Sequence, residues 1–258
     1  QCKTSYVPAD NLLSQLNLSR DNIGSRQFYY GKGCPTCSQS GYRGRMGMDE
    51  VIPRRIVGAV DGTQLVWDPA PPAGVPATID LGTVVEFMST GPFVVKSQNP
   101  AHPFHLSAYM TGGESFDSEG DPDWVNVIPP QQYLDRYVLF TDPTYSETNL
   151  VVVRTKSKVD DKFADVTLDC LAAPLGDWKP LGKYEYTRVD LVTGNFTDVN
   201  GCSNGRHEMT STAPFGVTVW GWGSKAALGV GTKLVSYAYP AGASVQPIND
   251  VVVLPDPK

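Results

Sequence analysis

Histidine is scarce in this chain: its 258 residues carry three, His102, His105 and His207. The first two form an HPFH string in which Pro103 works against a helix, and so against the i, i+4 histidine pair of zinc hydrolases. No GxSxG string proposes a nucleophile, and no G-x-x-x-x-G-K-[ST] loop is present to cradle phosphates. With no recognisable catalytic apparatus, the expectation is a protein that is not an enzyme. No stretch of about 18 consecutive apolar residues occurs, so insertion into a membrane as a helix is not expected. No secretory signal pattern is visible, although a chain opening at Gln1 reads as a processed or excised product. Clusters of Lys and Arg are also missing, and a net charge of −6 argues against nucleic acid and anionic membranes as partners.

What is present divides near residue 52. Residues 1–51 hold six Lys and Arg against four Asp and Glu, whereas residues 52–258 hold 15 against 23. Three of the five cysteines, Cys2, Cys34 and Cys37, precede the division, and Cys170 and Cys202 follow it. A CxxC pair opening a Gly-rich turn is the usual knuckle of a zinc site, which needs thiolates and reducing surroundings. Cys170 and Cys202 enclose 31 residues, a spacing open to two readings: a disulfide formed in oxidising surroundings, or two unrelated buried thiols. Upstream, Leu12, Leu13, Leu16 and Leu18 recur at near-helical spacing, with Asp10 or Asn11 as cap and Gly24 as stop, which predicts one short helix. Phe28 to Tyr30 predicts a short strand.

The strings QCKTSYVPAD and RQFYYGKGCPTCSQSGYRGRMGMDEVI resemble the zinc-binding C-terminal subdomain of the type IV pilus assembly and type II secretion ATPases. The resemblance implies zinc held by two CxxC pairs, of which Cys34 and Cys37 match the second and Cys2 the last cysteine of the first. The fourth ligand falls upstream of Gln1, so the set is incomplete. Residues 1–52 are thus expected to be a truncated zinc-ribbon-like segment.

From Arg54 onward, short runs rich in Val, Tyr, Phe and Thr alternate with Pro and Gly turns. Twelve strands are predicted, beginning with RRIVGAV and TQLVW on either side of Asp61-Gly62, a pair that signals a hairpin. The fold class read from this pattern is mainly β, an antiparallel β-sandwich, with a propeller-like arrangement as the alternative. The strings VVEFMSTGPFVVKSQNP, YMTGG, GDPDWVNVIPPQQYLDRYVLFTDPTYSETNLVVV, APFGVTVWGWG and SYAYPAGA resemble the N-terminal domain family of the IgG Fc-binding proteins. The resemblance implies that residues 53–258 form a secreted or cell-surface β module associated with adhesion, whose match begins on an interior strand as though truncated at its N-terminus.

Candidate sites follow from local pattern. Asp117, Glu119, Asp121 and Asp123 repeat every second residue, which places their carboxylates on one side of an extended chain, a beginning for calcium or an ordinary acidic loop. In APFGVTVWGWG the period of two sets Phe215, Val217 and Val219 on one face and Thr218, Trp220 and Trp222 on the other, with Gly216, Gly221 and Gly223 leaving room beside the rings. Trp220 and Trp222, joined by Tyr237 and Tyr239 one strand later, are binding-face candidates for a protein or glycan if that face is open, and core if it is covered. Asn195 and Thr197 form an N-x-T acceptor in a predicted turn. Rival readings make the chain an accessory zinc-binding part of a pilus or secretion machine, a glycan-processing enzyme, or a fibre subunit self-assembling through an exposed sheet edge.

Overall fold

The computed structural model describes residues 3–7, 20, 28–31, 52–89, 91–110, 120–224, 232–245 and 247–250. The chain divides into two compact units, Gln1–Arg45 and Met46–Lys258. In the first, β1 (Lys3–Tyr6) pairs antiparallel with β2 (Phe28–Gly31), the strand expected at Phe28 to Tyr30. The expected helix at Leu12 to Leu18 and the cysteines Cys2, Cys34 and Cys37 lie outside the described residues.

The second unit is built from antiparallel strands without a closed barrel, the sandwich-like outcome of many short alternating runs. Its first part stacks two small sheets. One runs in the order β6 (Val84–Ser89), β3 (Ile52–Gly58), β8 (Phe104–Tyr109), β9 (Trp124–Asn126), and the other β5 (Thr78–Ile79), β4 (Thr63–Asp68), β7 (Val94–Ser97). Alternation does the sorting: in β4, Thr63 and Leu65 are buried while Gln64 and Val66 face out. Ile56, Leu65, Ile79 and Phe87 form the core between these sheets. Trp67 fills it, 5.7 Å edge-on from Phe87 and 5.1 Å from Phe93.

Asp61-Gly62 turns the chain, with Gly62 at φ +69°, but the hairpin expected there does not form. β3 pairs with β6 and β8, and β4 with β5 and β7, so the turn carries the chain from one sheet to the other. Asp61 Oδ1 accepts from Leu81 N at 2.9 Å, and Asp80 Oδ1 accepts from Gly62 N at 2.8 Å. Two turns are thereby stapled side by side, and the aspartate that signals a hairpin locally is spent on a distant turn. Because β3 has a neighbour on both sides, it is not the bare edge that a missing first strand would leave.

The remaining strands form one large folded sheet, ordered β10 (Leu134–Phe140), β16 (Arg206–Trp222), β11 (Glu147–Arg154), β14 (Tyr184–Thr193), β13 (Lys179–Leu181), with β12 (Val166–Leu168), β15 (Thr197–Asp198) and β17 (Ser236–Pro240) attached. No repeated propeller blade occurs among the described strands. β16 organises the sheet: its first half pairs with β10 and β12, its second with β11 and β17. Side chains from both halves meet in one interior, including Met209, Phe215, Val217 and Val219 with Tyr137, Leu150, Leu168, Leu191 and Cys202.

Tyrosines cross that interior and finish the hydrogen bonding of β10. Tyr137 Oη donates to Phe215 O at 2.6 Å and accepts from Leu134 N at 3.0 Å. Tyr239 Oη donates to Phe140 O at 2.5 Å and accepts from Phe140 N at 3.2 Å, and Tyr237 Oη accepts from Asp142 N at 3.1 Å. Burial pushes Tyr237 up to about 12, and it raises Tyr133, Tyr137 and Tyr239 as well. An unfolded tyrosine ionises near pH 10, so the unfolded state gives up protons that the folded state keeps. The stabilisation is therefore complete below about pH 10 and is lost as pH climbs towards 12. Urea midpoints measured across this interval are expected to fall steeply, with phenolate absorbance lagging behind that of free tyrosine. A flat midpoint would contradict the buried phenols.

Candidate binding face

Each strand of the β6-β3-β8-β9 sheet alternates between two environments. Ile56, Phe87, Ala108 and Val125 point inward, and the residues between them point out. Register then composes the outer face in rows. On this side Met88 pairs with Pro53 and Tyr109 with Trp124, and the next row crosses all four strands as Glu86, Arg55, Ser107 and Asn126, of which Ser107 is buried. Trp124 is 51% exposed, a large apolar surface left in water. Its indole stacks on Tyr109, centroids 6.4 Å apart with planes inclined by 25°. The Arg55 guanidinium lies 5.0 Å from the Tyr109 ring centre, where a cation is drawn to the π face. Arg55 also donates to Glu86, from Nε at 2.9 Å. That hydrogen bond raises the arginine above its ordinary pKa. On the flank, His105 Nε2 lies 2.8 Å from Asn126 Oδ1.

This surface carries the aromatic pair Tyr109 and Trp124 beside the charged pair Arg55 and Glu86. Its arginine is committed to Glu86 and to the Tyr109 ring. Stacking, apolar contact and a charged rim are what it offers a ligand, the ingredients of a binding surface.

The sequence-predicted residues lie elsewhere. Trp220 and Trp222 do stack, 6.4 Å apart and 12° from parallel, but each is 6% exposed. They pack with Ala108, Met110, Val125 and Val151 where the small sheet covers the large one, so no open face remains to them. Tyr237 and Tyr239 stack too, 6.1 Å apart, and are spent on the ties to β10. The room left by the glycines is taken by tyrosine rings: an added Cβ would enter the Tyr133 ring at Gly216 and the Tyr237 ring at Gly221.

Of the acidic repeat, Asp117 and Glu119 lie outside the described residues. Asp123 uses one oxygen on Trp124 N at 2.7 Å and the other on Ala238 N at 3.0 Å, which clamps β9 to β17. Asp121 is exposed, and its backbone N–H donates to Ser236 Oγ at 3.0 Å. Cys170 and Cys202 form the disulfide, Cα to Cα 5.0 Å. His102 Nδ1 lies 2.8 Å from Asn99 Oδ1 in an exposed turn. Asn195 is exposed in the turn after β14.

Tyr109 and Trp124 escaped the sequence reading as a site because each was visible only as part of a strand. The available signal was DWVN, where Trp124 and Asn126 flank a lone buried Val125 on a short edge strand. Alternation shows that Trp124 and Val125 face opposite ways, and only the pairing of β8 with β9 shows which way is out.

Comparison with curated proteins and with solved structures gives no match. The family described as IgGFc binding protein matches residues 30–221, a span that begins on Tyr30, takes in Cys34 and Cys37 and ends on Gly221 of β16, and the expected likeness of residues 1–52 to secretion ATPases finds no support in these comparisons. Since that match covers most of the sequence, including both layers of the small sandwich and nearly all of β16, the chain belongs to the IgGFc-binding protein family.

Proposed function

We propose that this chain is a non-catalytic extracellular binding module of the adhesion type, whose ligand is a protein docking on the outer face of the β6-β3-β8-β9 sheet. The observation that carries the reading is Trp124, half exposed and stacked on Tyr109 beside Arg55. Trp, Tyr, Arg and Met are the residues that protein interfaces concentrate at their centres, and the outer face of a sheet suits a protein better than a small ligand, which prefers a cleft. Family membership supports a binding role, and the Cys170–Cys202 bridge supports an oxidising, extracellular setting. No helix among the described residues is long and apolar enough to cross a membrane.

The family's description names the Fc part of immunoglobulin G as the first probe, with a glycan array beside it. The native chain is expected to bind immobilised Fc. Trp124→Ala is expected to weaken that binding by about 2 kcal/mol or more, roughly thirtyfold in Kd. Val138→Ala, exposed on β10, leaves it unchanged. Equal binding by Trp124→Ala would remove the face from the account, and binding of glycans alone would change the ligand class. For residues 1–52 the proposal remains a zinc-binding appendage held by Cys2, Cys34 and Cys37. Metal analysis of the purified chain tests it, and absence of zinc would end it.

A further inference from the structure

Away from the aromatic face, Asp169, Cys170 and His207 gather where β12 ends beside β16. Each offers one ligand atom, and these atoms lie within 4.8 Å of one another. Cys202, bonded to Cys170, is the next sulfur and lies outside that group. His207 is 5% exposed and held between two acceptors, Ser203 O at 2.7 Å from Nε2 and Asp169 Oδ1 at 2.9 Å from Nδ1. A carbonyl oxygen only accepts, so Nε2–H donates to it, and Nδ1 then meets a carboxylate oxygen that, when ionised, also only accepts. Either a proton on Nδ1, which makes this an ion pair, or a metal cation can sit between them.

Both groups already have the outer support that metal ligands need. The far imidazole N–H rests on a backbone carbonyl, which fixes the tautomer, and Asp169 Oδ2 accepts from Glu208 N at 3.0 Å. The nearby arginines are engaged elsewhere, Arg136 with Glu208 at 2.5 Å and Arg206 with Glu208 at 3.2 Å, so neither guanidinium is paired with Asp169.

The geometry points to a zinc site that the disulfide keeps closed: on reduction, the Cys170 and Cys202 thiolates join His207 and Asp169 as a four-coordinate set for Zn2+. Two sulfurs, one imidazole and one carboxylate are the donor types that zinc takes in tetrahedral sites. Two equivalents of a small thiol become one disulfide as the Cys170–Cys202 bond breaks, and each cysteine sulfur takes up a proton. Zn2+ then displaces both thiol protons to solvent as the two Zn–S bonds form. In the oxidised protein the sulfurs hold each other and only His207 and Asp169 remain to offer.

The test uses the full chain carrying Cys2→Ser, Cys34→Ser and Cys37→Ser, so that no other thiol competes. After reduction by a phosphine, which performs the same two-electron step, Co2+ and then Zn2+ are titrated in. One equivalent of Co2+ is expected to give tetrahedral d–d absorption with thiolate-to-metal charge transfer, to be displaced by Zn2+. Zn2+ is also expected to raise the melting temperature of the reduced chain and to leave that of the oxidised chain unchanged. Adding Cys170→Ser and Cys202→Ser abolishes the charge transfer, and His207→Ala weakens metal binding about tenfold or more. An octahedral spectrum, no stoichiometric uptake, or equal uptake by the oxidised chain overturns the proposal. If the reduced chain unfolds and Zn2+ does not restore its circular dichroism, that overturns it as well.

Discussion

Replacing Phe215 by alanine is expected to cost about 3 to 5 kcal/mol of unfolding free energy, the range for a large buried ring deleted from a core that cannot collapse around the gap. Phe215 has no exposed surface and sits where the two pairings of β16 meet, opposite Leu134 of β10 and Arg154 of β11. Its ring lies 5.0 Å edge-on from Tyr137, whose hydroxyl donates to the Phe215 carbonyl. Truncation therefore leaves a cavity and loosens the ring that anchors the start of β10, so the two losses are coupled. Urea denaturation followed by circular dichroism measures the effect, with Val84→Ala on the exposed face as a control expected to stay within about 0.5 kcal/mol. A Phe215→Ala cost near 1 kcal/mol would mean that β16 does not join the layers as described.

The second large effect belongs to the disulfide. Cys202 is fully buried in the same interior as Phe215, and the bridge closes a loop with a sequence separation of 32. In the chain-entropy account a loop of that length contributes about 3 to 4 kcal/mol by restricting the unfolded state. Changing both cysteines to serine is expected to lower the urea midpoint by the corresponding amount and to remove its sensitivity to reductant. An unchanged midpoint would mean that the bridge adds no net stability, and the case for an oxidising compartment would lose its energetic support.

Strands were the most legible part of the sequence, because an antiparallel sandwich writes its two environments as alternation. The pattern failed where chemistry replaced hydrophobicity. The first half of β16, Arg206 to Pro214, reads as polar and ends in proline, a residue that argues against a central strand. It is a strand nonetheless: His207, Met209 and Ala213 are its buried residues, and His207 is partnered by Asp169, which lies far away in sequence. β5, β13 and β15 are too short to show a period. Asp61-Gly62 shows the limit of turn signals, which announce a reversal without saying which strands flank it.

The site was less legible than the fold. Trp220 and Trp222 drew attention through composition, and the structure spends them on the join between sheets. DWVN carried the local sign of Trp124, but not which way it faces, since exposure of a sheet face depends on what packs against its other side. The disulfide was readable as one of two alternatives, because two cysteines enclosing 31 residues can be a bridge or two unrelated buried thiols.

Hydrogen–deuterium exchange on the native chain with the bound probe, Fc if Fc binds, tests the central claim most directly. New protection is expected in β3, β8 and β9 around Arg55, Tyr109 and Trp124, with β10 unaffected. Protection confined to β10 or to the large sheet, with those three strands exchanging as in the free chain, would contradict it.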